Sequence, residues 1–241
     1  MKSICLLLCC IFLLAAPVLL CAQDTSGTNE QLWPELDAYY RINNQYRIVA
    51  KISGTRQKNS DYSDGSFSLF GDYFTKARYL HEATGMDSTS VYALWLRAGY
   101  MYSASPPSSK DPFREHTLVG MANNRFYFLW KLMGTLRNRL DIRFTDGDVK
   151  FRYRPRFMLE RDMHTAYLTF TAYVYAEYFF NLGQGELNRL RICGGAELKV
   201  TRILSFETYW FHQFGNKPEV QKVNAIGVSL KAYLKSKKVT N

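Results

Sequence analysis

Guanidinium and carboxylate groups are the chemical resource of this chain, and they come at strand spacing. Arg137, Arg139 and Arg143 sit at alternate positions around Asp141, and Arg152, Arg154 and Arg156 repeat the rule after a Thr145-Asp146-Gly147-Asp148 turn. Arg189 and Arg191 repeat it again, while Glu160, Glu177, Glu197 and Glu207 supply further acids. Arginine forks bind carboxylates bidentately, so this set can build a salt-bridged interior. The arginines also outnumber the acids, and a surplus of fixed positive charge can hold or pass small anions.

Other chemistries find less support. The histidines are His81, His116, His164 and His212; none lies two residues from a serine and no two have metal-ligand spacing. Glu115-His116 is the acid–base pair to test, but neighbours on a strand point to opposite faces. Cys5, Cys9, Cys10 and Cys21 lie in the leader, so Cys193 stands alone beyond it, which excludes a disulfide framework and a thiolate metal site. The expectation is a protein without cofactor or metal, and not an enzyme; a lipid-modifying barrel enzyme is the weakest alternative.

The arginines must be positioned by β-strands. Leu136, Asn138, Leu140, Ile142 and Phe144 alternate with the first ladder, and Phe151, Tyr153, Pro155 and Phe157 with the second. Period two means one apolar and one polar face. With an export signal, that pattern predicts strands with lipid outside and a charged lumen inside. The residues assigned to the lumen are Arg137, Arg139, Asp141, Arg143, Arg152, Arg154, Arg156, Glu177, Arg189, Arg191, Glu197 and Glu207. A soluble, lipocalin-like barrel would reverse the faces and leave the arginines outside.

Lys2 followed by the apolar run Ile4 to Leu20 reads as a secretory signal, cleaved before Gln23. An uncleaved anchor would need ~20 apolar residues and stop-transfer charges. A lipoprotein cysteine at Cys21 would want a small residue where Leu20 stands. The predicted organisation is a signal over 1–22, a short polar segment over 23–32, one barrel over 33–234 and a basic tail over 235–241. The formal net charge is +10, and +9 without Lys2. Such an excess raises nucleic acid as a partner, but the arginines alternate with Leu, Ile and Phe instead of clustering on a helix or arm, and export removes that partner. The bacterial outer membrane is the expected location, with its lipid and the barrel-assembly machinery as partners and small anions as a further candidate.

Further alternating segments run over 35–42, 46–53, 72–79, 92–100, 113–130, 167–178, 189–199, 204–211 and 225–234. With the two ladders they come to about eleven. Single-chain bacterial barrels have an even number of strands, so the fold expected is an all-β, antiparallel transmembrane barrel of about 10–12 strands. Polar segments at 54–65, 102–112, 181–186 and 215–222 alternate with tight links at Asn43–Gln45, Arg161–Thr165 and Thr201–Ile203. If the tight links face the periplasm, the first strand leaves the mature N-terminus on the outer side. Aromatics beside the longer segments, such as Tyr100, Tyr178 and Trp210, fit interfacial girdles.

The order of these elements resembles a family of outer-membrane β-barrels catalogued as domain of unknown function 2490. The motifs that carry the resemblance are Trp33, Gly99-Tyr100, Glu115-His116, Arg137 to Arg143, Arg152 to Arg156, Glu177-Tyr178-Phe179 and Asn188-Arg189-Leu190-Arg191. Thr117 stands where a third basic residue is expected, Asp141 replaces a Glu, and the chain runs on into Lys235-Ser236-Lys237-Lys238. The resemblance implies the barrel and its location and supplies no activity.

Overall fold

The computed structural model describes residues 28–58, 62–75, 94–106, 112–128, 132–145, 147–165, 168–183, 186–215 and 222–236. The expected export signal, His81, the second half of the strand expected at 72–79 and Lys237-Lys238 lie outside the described residues.

Eleven strands close into a barrel: β1 Thr28–Arg41, β2 Tyr46–Gln57, β3 Tyr62–Phe74, β4 Leu94–Ala104, β5 Arg114–Tyr127, β6 Met133–Thr145, β7 Asp148–His164, β8 Thr169–Asn181, β9 Glu186–Lys199, β10 Leu204–Gly215 and β11 Lys222–Lys235. Each pairs antiparallel with its sequence neighbour, and β1 pairs parallel with β11 over its whole length, from Thr28↔Lys222 to Arg41↔Lys235. The even-number argument therefore does not apply. An odd number of up-and-down strands leaves the first and last running the same way, and a parallel ladder joins them. That seam puts the start of β1 and the end of β11 at opposite rims, so no preceding strand is needed to close the wall.

Several boundaries move. β1 starts at Thr28, five residues before Trp33, because the polar residues Gln31 and Glu35 belong to the inner face and not to a loop. The 113–130 segment is one strand, not two. β3 lies earlier than the 72–79 alternation indicated, since the stretch read as a loop over 54–65 is largely wall. The first half of its inner face is built from small polar residues, and Ser53 and Ser66 share a hydroxyl hydrogen bond of 2.7 Å across β2 and β3.

Loop lengths give no clean polarity. The strand ends that flank 58–61, 105–113, 182–185 and 216–221 share a rim, as expected, but so do the ends of β6 and β7, only two residues apart, where Gly147 takes a φ of 87°. The opposite rim carries tight turns at 42–45, 165–168 and 200–203 together with the longest link, 75–93. Asn43 builds one of these tight turns: its Oδ1 accepts the backbone N–H groups of Gln45 and Tyr46, both at 2.8 Å.

Burial alternates most clearly along β5 and β11. Large apolar side chains remain exposed right around the wall, including Leu36, Ile52, Leu69, Leu96, Leu118, Leu140, Phe157, Val174, Ile192, Phe206 and Leu230. The buried face is the inner one, and two apolar groups pack across it. Val49, Phe70, Val119 and Met121 meet from β2, β3 and β5; Cys193, Phe211, Val223 and Ala225 meet from β9, β10 and β11. Aromatic rings fit there because glycines face them. A Cβ on Gly227 would lie 1.9 Å from the Tyr209 ring.

Candidate functional site

The buried face carries the charge. Asp141 and Glu177, with side chains 2 % and 0 % exposed, tie the two arginine ladders together. Arg139 Nε donates to Asp141 at 2.5 Å, Arg154 lies 3.5 Å from Asp141 and 3.1 Å from Glu177, and Arg156 donates to Glu177 at 3.0 Å. The result is a chain of five alternating charges, Arg139–Asp141–Arg154–Glu177–Arg156, over β6, β7 and β8. Register explains it: Arg137, Arg139 and Asp141 stand directly opposite Arg156, Arg154 and Arg152, so like charges face each other unless acids intervene. Glu177, opposite Arg156 on the other side, does so. The β7–β8 ladder skips Arg154 and Pro155, where the proline has no N–H to give.

Rings complete the cluster. Arg156 sits 3.8 Å from the Tyr175 ring centroid and Arg154 4.5 Å from Phe179; Arg191 lies among Phe211 at 4.2 Å, Trp33 at 5.0 Å and Phe179 at 5.2 Å, and donates to Gln213 at 2.9 Å. Cation–π contacts of this kind stabilise a guanidinium where water is scarce. Arg143 grips Glu115 with two N–H groups, and Thr117 donates to the same carboxylate at 3.0 Å. Arg137 donates to the Asn123 amide oxygen at 3.0 Å.

Glu197 and Glu207 belong to a second network, away from the arginines. Lys231 bridges them at 2.6 and 3.0 Å, and the Tyr233 and Tyr173 hydroxyls donate to them. Glu35 accepts from Lys51 at 2.5 Å and from Tyr209 at 3.1 Å. These acids pair with Lys231 and accept from tyrosine hydroxyls, not from the ladder arginines, so the charge is sorted into an arginine side and an acid–tyrosine side. Contacts such as Tyr209 to Glu35, from β10 to β1 past β11, form only across the concave face of a closed sheet.

Sequence reasoning missed a third network. Asp72, 0 % exposed at its side chain, takes Arg97 Nε at 2.6 Å and Arg47 Nη2 at 2.7 Å, with Phe74 and Trp95 stacked against these arginines. The signal was present in the alternation, since Arg47, Asp72 and Arg97 all fall on the polar side of their strands, each as a single charge and not as part of a run.

Glu115 and His116 point to opposite faces. Glu115 is buried against Arg143, whereas His116 is exposed and its Nδ1 lies 2.5 Å from the Tyr100 hydroxyl. His212 also faces outward, against Trp210, Phe214 and the Asn224 amide. No group of acids, histidines and cysteines among the described residues could hold a metal.

These contacts join Trp33, Arg139, Asp141, Arg154, Arg156, Glu177, Phe179 and Arg191, scattered along the chain, into one assembly, with the Arg143–Glu115 pair beside it. They are the inward members of the motifs that carry the family resemblance. A family model described as protein of unknown function (DUF2490) matches residues 30–224, and the chain belongs to that family. No curated protein and no solved structure matches it.

Proposed function

We propose that the chain is an outer-membrane β-barrel, delivered by a cleaved signal, whose lumen is closed by its own salt bridges and whose binding function is carried at the rims. The observation behind this reading is the row of exposed apolar side chains that runs around a closed wall with charged pairs inside. Val174 and Ile52 are each 55 % exposed and Leu36 54 %, whereas soluble monomers rarely expose contiguous apolar patches beyond a few hundred Å². A strand of 13 residues is about 43 Å long and, tilted by about 40°, stands roughly 33 Å high, enough for an apolar band of ~25 Å. The lipocalin-like alternative would need the faces reversed.

The expected outcome is recovery in the outer-membrane fraction, resistance to alkaline extraction and a mobility shift between unboiled and boiled samples. Recovery in the soluble periplasmic fraction overturns the reading. A second reading, a small anion-selective pore, is favoured by two arginines, Arg152 and Arg189, that form no ion pair with an acid among the described residues. Conductance across planar bilayers separates the two.

A further inference from the structure

Three guanidinium groups converge near one rim with a single acid among them. Arg143 of β6, Arg152 of β7 and Arg189 of β9 line a cavity of about 50 Å³ together with Phe179, Asn181 and Asn188. Arg143 is the one of the three that meets a carboxylate, Glu115. Arg189 donates to the Asn188 amide oxygen at 3.1 Å, and Arg152 makes no ion pair or hydrogen bond among the described residues. Asp141, opposite Arg152 in register, is taken up by Arg139 and Arg154, so among the described residues the three lining arginines set three positive charges against the one negative of Glu115, a surplus of +2 around a small polar space. Such a surplus is unfavourable inside a wall unless an anion supplies the missing partner.

The backbone is shaped for this space. The β8–β9 register shifts between Phe179 and Phe180, so that Phe179 faces Arg189 and Phe180 faces Leu187, leaving Asn188 as the extra residue of a bulge. In regular alternation Asn188 and Arg189 would point to opposite faces. The bulge turns both into the cavity, the re-aiming of a side chain that bulges commonly provide. Phe179, with Arg154 and Arg191 against its ring, closes the inner side, while the 27 % exposure of the Arg143 side chain leaves the other side open to solvent.

We infer that this cavity binds a phosphate-type dianion, held by the Arg143, Arg152 and Arg189 guanidinium groups and the amides of Asn181 and Asn188. Arginine forks fit the tetrahedral oxyanion bidentately, and the amide groups can donate to its remaining oxygens. The ligand's charge equals the surplus. Inorganic phosphate and a phosphomonoester lipid headgroup share this chemistry. The inference goes beyond the barrel reading and does not depend on where the barrel resides.

Titration of the full chain in a non-ionic detergent separates the two sources. One arm uses inorganic phosphate, the other micelles doped with phosphatidic acid. Saturable binding of about one equivalent in either arm is expected, weakened at least tenfold in Arg152→Gln and Arg189→Gln and unchanged in Arg161→Gln, whose side chain is exposed on β7. A response to both probes assigns the site to a free anion; a response to phosphatidic acid alone assigns it to a headgroup. Thermal stability is the second readout. Phosphate should raise the unfolding midpoint of the natural chain by preferential binding to the folded state, and Arg152→Gln, which removes an unpaired charge, should fold, lose that response and be at least as stable in phosphate-free buffer. Binding in neither arm overturns the inference, as does displacement of phosphate by equimolar chloride or undiminished binding in Arg152→Gln.

Discussion

Glu177 is the residue on which the arginine network turns. Its carboxylate holds Arg154 and Arg156 at once, and its removal leaves Arg156 without an acid in a buried setting. Glu177→Ala should therefore cost about 3–5 kcal/mol, the usual cost of stranding one partner of a buried pair. Arg139→Ala should cost less, about 1–3 kcal/mol for a lost charged hydrogen bond, because Asp141 keeps Arg154 beside it. Urea unfolding in detergent, followed by the boiled-versus-unboiled gel shift, measures both; equal and small effects would mean that the network is solvated. At this scale the sequence was legible in part. Parity alone put the ladder residues on a common face of their strands, because period two admits only two choices. Partnership was not legible, since it depends on which strands become neighbours: Glu197 and Glu207 share a strand face with Arg189 and Arg191 or lie opposite it, yet register hands them to Lys231.

At the scale of elements, the parallel seam is the departure from expectation, and it can be tested by register. Ala38 of β1 stands opposite Ala232 of β11, and both fall on the outward parity of their strands. In a Cys193→Ser background, Ala38→Cys with Ala232→Cys should cross-link on mild oxidation and shift on a non-reducing gel, whereas Ala38→Cys with Ile226→Cys should not. The reverse pattern would mean a different closure. Packing on the inside makes a second prediction. The Tyr209 ring lies flat on Gly227, so Gly227→Ala should cost about 1–3 kcal/mol by overpacking, and Tyr209→Leu in the same chain should recover part of that loss. The segments with long side chains on one face were readable because alternation was loud there. β3 was misplaced because Ser66, Ser68 and Gly65 carry little hydropathy contrast, and composition that signals a loop can equally make room for a neighbour's ring.

For the whole molecule, strand number and interior packing bear jointly on passage through the barrel. Eleven strands enclose far less space than the 16–18 that leave an aqueous channel, and Phe179, Arg191, Phe211 and Trp33 fill the region beside the ladders. The count of about eleven was legible in the alternation itself; the even-number generalisation misled because it describes fully antiparallel closure. Fixed positive charge lowers the barrier for anions only where there is a continuous path of water. The chain reconstituted in planar bilayers should thus be silent at all voltages despite its surplus of arginine. Phe179→Ala combined with Arg191→Ala removes the side chains that close the arginine side while keeping Arg152, Arg156 and Arg189, so this variant should conduct and favour anions. Steady anion-selective conductance from the natural chain, falling when Arg152 and Arg156 become Ser, would replace the closed barrel with the pore.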